Sequence, residues 1–455
     1  MHTGLFRMRA FTRPVMTAIA GIWVLSLWGL SFCAATAFAA QSPSRLQIIT
    51  SFPPSFYEPF VQRFSELYPD INVSILNKKT TSAIAELRRG NDRQFDVFWS
   101  SSPDAFEILK IAGVLRRPPS GRRHSTIFLN DFPVDDPEGY FYGFAVSGVG
   151  WMWNKTYFTR EKLTGPSAWS QLDEPRYYNH ISMSAPSHSG STHLIVESML
   201  QGMGWVEGWA HLTRMSGNLI TLSARSFSVT EGVKSGMFGL GLVIDMLGRP
   251  KGRDDIDFRY GEPAFFAPAT VAALKNSINP FEAELFIDFL LSPEGQKLLL
   301  KRDINRLPVS KAMYENGTLD SHPLLKLIKS GKSRPYDAYL SQLRYSLVNQ
   351  LFDEMITYRL LERRRLWKRL ITLEKKQRAA GNTDTALFDR IHSLLAAVPV
   401  TEEQSRDPEF TKIFADPSLG YPVSPERHQQ ILQWQTFIQE RLSKAKELLD
   451  KASTQ

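Results

Sequence analysis

The sequence predicts an α/β chain of two lobes joined by two crossing strands, followed by an all-helical extension. Three observations predict it. From residue 46, short apolar strands alternate with amphipathic helical stretches. After a long apolar, glycine-containing run at 142–154 the alternation begins again. Beyond residue 333 it stops, and only helical spacing continues. Alternation of this kind builds a parallel sheet with helices on both faces.

Taken in order, 46–50 reads as a strand and 57–68 as a helix that buries Phe60, Val61, Phe64 and Leu67. A strand at 71–76, a helix at 82–89 and a strand at 95–99 follow. Residues 103–111 form a helix with Ser102 as N-cap and Pro103 at its first position, where a missing N–H costs nothing. The run 142–154 is a strand that leaves the first lobe for the second. There, 180–184, 218–223 and 239–244 are strands, and helices begin at 192–203 and 229–234. Residues 258–267 cross back, and the helical region 280–301 is expected to pack on the first lobe. The expected division is 40–147 with 262–333 for the first lobe, 148–261 for the second and 334–455 for the extension.

The first 39 residues read as a cleaved signal peptide. Arg7, Arg9 and Arg13 form a basic start, an apolar run extends from 15 to 32, and Ala37-Phe38-Ala39 gives the small-x-small cleavage pattern. A retained anchor would fit the length of the run, but the cleavage pattern favours removal and a periplasmic location. Phe32 before Cys33 disfavours a lipid anchor. Cys33 is the single cysteine, so the exported chain has neither a disulfide nor a thiolate ligand. Losing three arginines and no acid lowers the formal charge from +8 to +5. That modest excess fits an anionic ligand or an acidic partner and points to no nucleic acid.

Four loops share one design: each follows an apolar strand, is rich in hydroxyls and opens into a helix. They carry Ser51 and Ser55; Ser100, Ser101 and Ser102; Ser189, Gly190, Ser191, Thr192 and His193; and Arg225, Ser226 and Ser228. Ligands of such sheets sit at the carboxyl ends of strands, where free N–H groups and helix dipoles attract anions. Gly190 lets the backbone approach a ligand, His193 offers a charged hydrogen bond, and Arg225 can pair a phosphate bidentately. A capped helix start or a solvated arginine explains the same residues about as well. Ser228 with Glu231 reads as a capping box. Asp245, ending the strand at 239–244, either accepts from ligand hydroxyls or caps the next turn.

Catalysis finds little support. No G-x-S-x-G elbow, H-E-x-x-H pair, Walker loop or dinucleotide glycine pattern occurs, and no metal or other cofactor is expected. A hydrolase on the same lobes and a purely structural interaction protein are the alternatives from other classes.

The stretches Asn279-Pro280, 286–296 and Arg306-Leu307-Pro308-Val309, with 95–104 and 239–245, resemble the bacterial extracellular solute-binding proteins of the ferric-ion and phosphosugar-binding group. The resemblance covers roughly 45–315. It implies a periplasmic-binding-protein type II fold that closes like a hinge. Within the group the third and fourth loops look most like the binders of organic phosphates, phosphoglycerate and hexose phosphates among them. The resemblance therefore implies a phosphate ester held by serine, threonine, histidine and arginine donors, and no enzymatic activity. Ferric binders use two adjacent tyrosines near the strand that here reads 240–247, where no tyrosine occurs; Tyr177-Tyr178 lies earlier and reads as packing. Partners implied are an ABC transporter permease or a membrane sensor kinase.

The extension is longer than ligand delivery needs. Leu340, Leu343, Leu347, Leu351 and Met355 keep helical spacing, as do Leu387, Ile391 and Leu394, and then Ile431, Trp434, Phe437, Ile438 and Leu442. Between Arg359 and Arg378 lie nine basic residues against Glu362 and Glu374. A solvated face is the plain reading; a ridge that docks a membrane partner, outside the ligand site, is the other.

Overall fold

The computed structural model describes residues 44–117, 134–250, 252–315, 317–381 and 385–454. The signal-peptide reading and Cys33 lie outside them. From Pro43 onward the chain forms one compact unit.

The first lobe holds strands β1 (Ser44–Thr50), β2 (Ile71–Asn77) and β3 (Val97–Ser100), with helices α1 (Pro54–Leu67), α2 (Thr80–Arg88) and α3 (Pro103–Ile111). β1 pairs in parallel with β2 on one side and β3 on the other. The connections after β1 and β2 thus run in opposite directions, which opens a crevice at the strand ends. α1 buries Phe56, Phe60 and Phe64, one every four residues, against Trp99, Phe144 and Phe286.

β4 (Tyr142–Asn154) crosses between the lobes, as expected. Its first half pairs with β9 (Ala264–Ala273), and its second half with β7 (Leu240–Ile244) and β8 (Ile256–Tyr260). The return crossing expected at 258–267 is two strands, because Gly261, Glu262 and Pro263 separate β8 from β9. The second lobe adds β5 (Ile181–Ser184) and β6 (Leu219–Ser223), so the sheet runs β2-β1-β3-β9-β4-β7-β5-β6. Short strands β10 (Leu307–Pro308) and β11 (Ser333–Pro335) pair with β4 and β9. The longer helices of the second lobe are α4 (Gly190–Met203), α5 (Trp205–Asn218) and α6 (Ser226–Lys234). α6 starts at Ser226, with Arg225 at its N-cap position, so Ser228 lies inside the helix and the expected capping box does not form. Glu231 pairs with Lys234 instead. α5, a buried tryptophan-rich helix, has no counterpart in the sequence expectations. α7 (Pro280–Leu291) returns to the first lobe, as the region 280–301 was expected to do.

The extension comprises α8 (Ala338–Phe352), a π-helical turn at Asp353–Thr357, α9 (Leu360–Ala379), α10 (Ala386–Ala396), short helices at Glu402–Arg406 and Pro408–Ile413, and α11 (Pro425–Thr454). It leans on both lobes: α8 lies along α3 of the first and touches α4 of the second, while α9 and α10 pack on α5. The basic run on α9 is not one ridge. Arg363 is buried and donates to the carbonyls of Met355 and Leu395. Arg364 donates to Asn179 and Arg369 pairs with Asp450. Arg365, Lys368, Lys375, Lys376 and Arg378 remain exposed. Among the described residues no helix is long and apolar enough to cross a membrane.

Candidate functional site

The loops after β1, β2, β3, β5, β6 and β7 converge on one small cavity between the lobes. The lobes approach each other closely here. Gly190 shows how closely. A Cβ there would overlap the Ser102 hydroxyl and crowd Thr80, both from the opposite lobe.

From the first lobe come Ser51, Phe52, Pro53, Ser101, Lys79 and Thr80. From the second come His188, Ser189, Gly190, Ser191, Arg225, Ser226 and Phe227, with Ile244, Met246 and Leu247 as floor. Ser51 and Ser100 hydroxyls bond at 2.8 Å, and the Ser100 oxygen accepts from the Ser102 N–H at 3.3 Å, which fixes the first and second loops together. Ser189 caps α4 by accepting from the Thr192 N–H at 3.2 Å, and its oxygen lies 3.1 Å from that of Ser191. α2, α4 and α6 begin at this cavity, with Lys79, Ser189 and Arg225 at their N-cap positions on its wall.

The charges are one-sided. Lys79 and Arg225 line the cavity from opposite lobes, and the lining holds no carboxylate and no phenol. Neither side chain makes a hydrogen bond or ion pair among the described residues. Arg225 lies over the Phe227 ring at 4.2 Å, and burial lowers the pKa of its guanidinium.

Several expected residues stand elsewhere. Ser55 is exposed on α1. Ser100 and Ser102 lie buried behind the wall, and although Ser102 holds the N-cap position of α3 its side chain makes no capping bond. Thr192 and Ser228 are outside the lining. His193 points away from the cleft and is fully buried against the extension. Its Nδ1 meets Asn349 Oδ1 at 2.7 Å, its Nε2 meets Ser341 Oγ at 3.0 Å, and its ring packs at a tilt against Tyr345. Burial depresses its pKa to about 3, so it is neutral and offers no charged donor. The histidine that faces the cavity is His188. Asp245 is buried and accepts from the Gly148 N–H at 2.7 Å and the Tyr260 hydroxyl at 3.1 Å. It ties the crossing strand β4 to the second lobe, and burial pushes its pKa up to about 6 despite nearby Arg306. Tyr177 is buried, with its hydroxyl on the Thr164 carbonyl at 2.7 Å.

Lys79 and Thr80 were missed. The segment 77–81 has the design of the other four loops, following a strand and opening into a helix, but its lysines disguise it as a solvated connector.

A family model described as bacterial extracellular solute-binding protein matches residues 92–327. Phosphoglycerate transport regulatory protein PgtC of Salmonella typhimurium is 30% identical over 406 residues, 88% of this chain and 96% of that protein. The chain belongs to the bacterial extracellular solute-binding protein family. Its fold agrees with solved members. A periplasmic binding protein of Actinobacillus pleuropneumoniae, AfuA, solved with fructose 6-phosphate, is 18% identical with a TM-score of 0.56, covering 69% of this chain and 98% of that one. The substrate-binding protein of an ABC transporter from Agrobacterium tumefaciens is 17% identical with a TM-score of 0.59, covering 70% and 95%. Iron-bound HitA of Pseudomonas aeruginosa is 20% identical with a TM-score of 0.52, covering 63% and 92%. These binding proteins share the type II fold and cover about two thirds of this solute-binding protein.

Proposed function

We propose that this solute-binding protein captures a small organic phosphate, of the phosphoglycerate or sugar-phosphate kind, in the cavity between its lobes. One observation carries the reading: Lys79 and Arg225 line the cavity from opposite lobes, and its wall supplies no counter-charge. An anion between the two cations is attracted by both, which draws the lobes together across the cleft. The hydroxyls and helix starts around them suit phosphate oxygens. A ferric site would need anionic oxygen ligands such as phenolates or carboxylates, and this wall has none. The relative's name and the fructose 6-phosphate in AfuA support the same chemistry.

The lobe boundaries at 147/148 and 261/262, the cleaved signal peptide, periplasmic residence and presentation of the ligand to a transporter or sensor kinase belong to this proposal. Deleting the gene while measuring ligand uptake and transporter expression separately distinguishes delivery from reporting.

Titration of the exported chain with 3-phosphoglycerate, fructose 6-phosphate, glycerate and ferric citrate tests the ligand class. A phosphate ester at a hundredfold excess over its Kd should stabilise the protein by about 2.7 kcal/mol. Tight iron binding with no response to either phosphate ester overturns the reading.

A further inference from the structure

The extension is attached to the two lobes in different ways. Its seat on the second lobe is polar, buried and specific. Arg344 of α8 makes an ion pair with Glu197 of α4 at 2.6 Å, with both side chains out of solvent, and its guanidinium also reaches Ser405. Trp367 of α9 lies where a side chain on Gly217 would be, and its indole N–H donates to Asn218 at 2.7 Å. The Trp205 indole donates to the Val400 carbonyl at 2.8 Å. Breaking this seat strands buried charges and donors.

The seat on the first lobe is of another kind. Tyr345 and Leu419 join the apolar cluster of Phe98, Phe106 and Leu109, and Arg88 lies over the Tyr421 ring at 3.4 Å. Beside these contacts Ile108 and Ile111 of α3 and Leu343, Ile413 and Val423 of the extension line an open groove. Parting such a seat breaks no buried ion pair. In the plain two-lobed fold only crossing strands join the lobes, so hinge opening here must part the extension from one lobe or the other.

We propose that the helical extension is a latch, carried permanently by the second lobe and released from the first when the cleft opens. The first turn of α4 makes the connection. Ser189, Gly190 and Ser191 face the cleft while His193, two residues on, holds Ser341 and Asn349 of α8. Closing the cleft on a ligand therefore seats α8 on α3 in the same movement. The inference rests on the hinge-closing reading of the cleft and not on which anion fills it.

Spin-label distances test it. The exported chain, without Cys33, has no cysteine, so pairs placed at the exposed positions Ile278 (first lobe), Val206 (second lobe) and Leu361 (extension) are unique. The latch requires the 206–361 distance to stay constant, while 278–361 and 278–206 shorten together on adding 3-phosphoglycerate. Arg88→Gln and Tyr421→Ala, which remove the cation–ring contact of the first-lobe seat from either side, should lengthen both distances with no ligand present. Constant 278–361 with changing 206–361, or lobe distances untouched in both variants, overturns the latch. If the variants open the protein but 3-phosphoglycerate moves nothing in the wild type, the latch stands and the phosphate reading fails. If 3-phosphoglycerate closes the wild type and neither variant opens it, the reverse holds.

Discussion

Arg225 and Arg344 are both partly or wholly withdrawn from water in the second lobe and its border, yet they differ in where their counter-charge comes from. Arg344 has Glu197 built in, at 2.6 Å, with Ser405 completing the set. Arg225 has only the face of Phe227, and the other charged residue of the cavity wall, Lys79 from the opposite lobe, is also a cation. A buried charge with a built-in partner is architecture; a half-buried charge whose partner must come from outside marks a site. The same contrast separates His193, neutral and fully bonded, from His188 on the cavity wall.

The largest expected effect breaks the comparison from the architectural side. Arg344→Met leaves Glu197 buried without its cation and should cost about 3–5 kcal/mol in stability. Arg225→Met should change stability of the ligand-free protein by less than about 0.5 kcal/mol, since no native ion pair is lost. Urea unfolding of both variants measures this. Equal losses would mean that Arg225 has a structural partner after all. A double Arg344→Met/Glu197→Leu variant should recover much of the loss, because the pair itself contributes less than either orphan costs.

The second effect works from the site. Lys79→Met and Arg225→Met should each weaken binding of 3-phosphoglycerate by about 1.5–3 kcal/mol, the contribution of a hydrogen bond to a charged group, or roughly ten- to a hundredfold. Ser101→Ala should cost less, about 0.5–1.5 kcal/mol for a neutral bond. Calorimetry on the three variants ranks them. A Lys79 variant that binds like the wild type would leave Arg225 as the lone cation of the site.

Much of the fold was legible because it depends on periodicity. The strand at 142–154 and the helix at 103–111 fell within their observed bounds, and the end of strand alternation located the helical extension. The second crossing was not resolved, although Gly261, Glu262 and Pro263 within the run are a break signal that the sequence carries. Within the site, loop chemistry identified which segments converge, and Ser51, Ser101, Ser189, Gly190, Ser191, Arg225 and Ser226 do line the cavity. The direction each side chain takes from its loop was hidden. Thr192 and His193 follow directly on the cleft residues, but a helical turn rotates them by about 100° per residue, out of the cavity and toward α8. Nothing local announces that change of face, because the surface that receives His193 begins some 150 residues later in the chain. The extension's basic run misled for the same reason: composition counts Arg363 with Arg365, and only tertiary packing separates them.

The third effect sharpens the contrast where the two lobes and the extension meet. Asp104 of α3 is fully buried, and no side chain hydrogen-bonds its carboxyl. Around it stand His193, with Nε2 at 3.9 Å, Glu197, Tyr336 and Tyr345. Burial pushes its pKa from 3.8 up to about 8, against the pull of backbone N–H groups at the start of α3, and Glu197 adds to the rise. A raised carboxyl contributes stability that is complete below its unfolded pKa and is lost as pH rises toward the folded value. His193 has the opposite sign: depressed from 6.5 to about 3, it contributes above 6.5 and loses that contribution as pH falls. Between about pH 4 and 6.5 the two slopes cancel, and from 6.5 to 8 Asp104 acts alone, at about 1.4 kcal/mol per pH unit. Asp104→Asn removes one slope and leaves the other. The variant should gain roughly 2 kcal/mol on the wild type between pH 6.5 and 8, and below 6.5 it should lose stability with acid where the wild type holds level. Urea midpoints at half-unit intervals from pH 4.5 to 8.5 measure both arms. Parallel curves for the two proteins would show that Asp104 is ionised and solvated at this junction, and would remove it from the buried joint between the lobes and the extension.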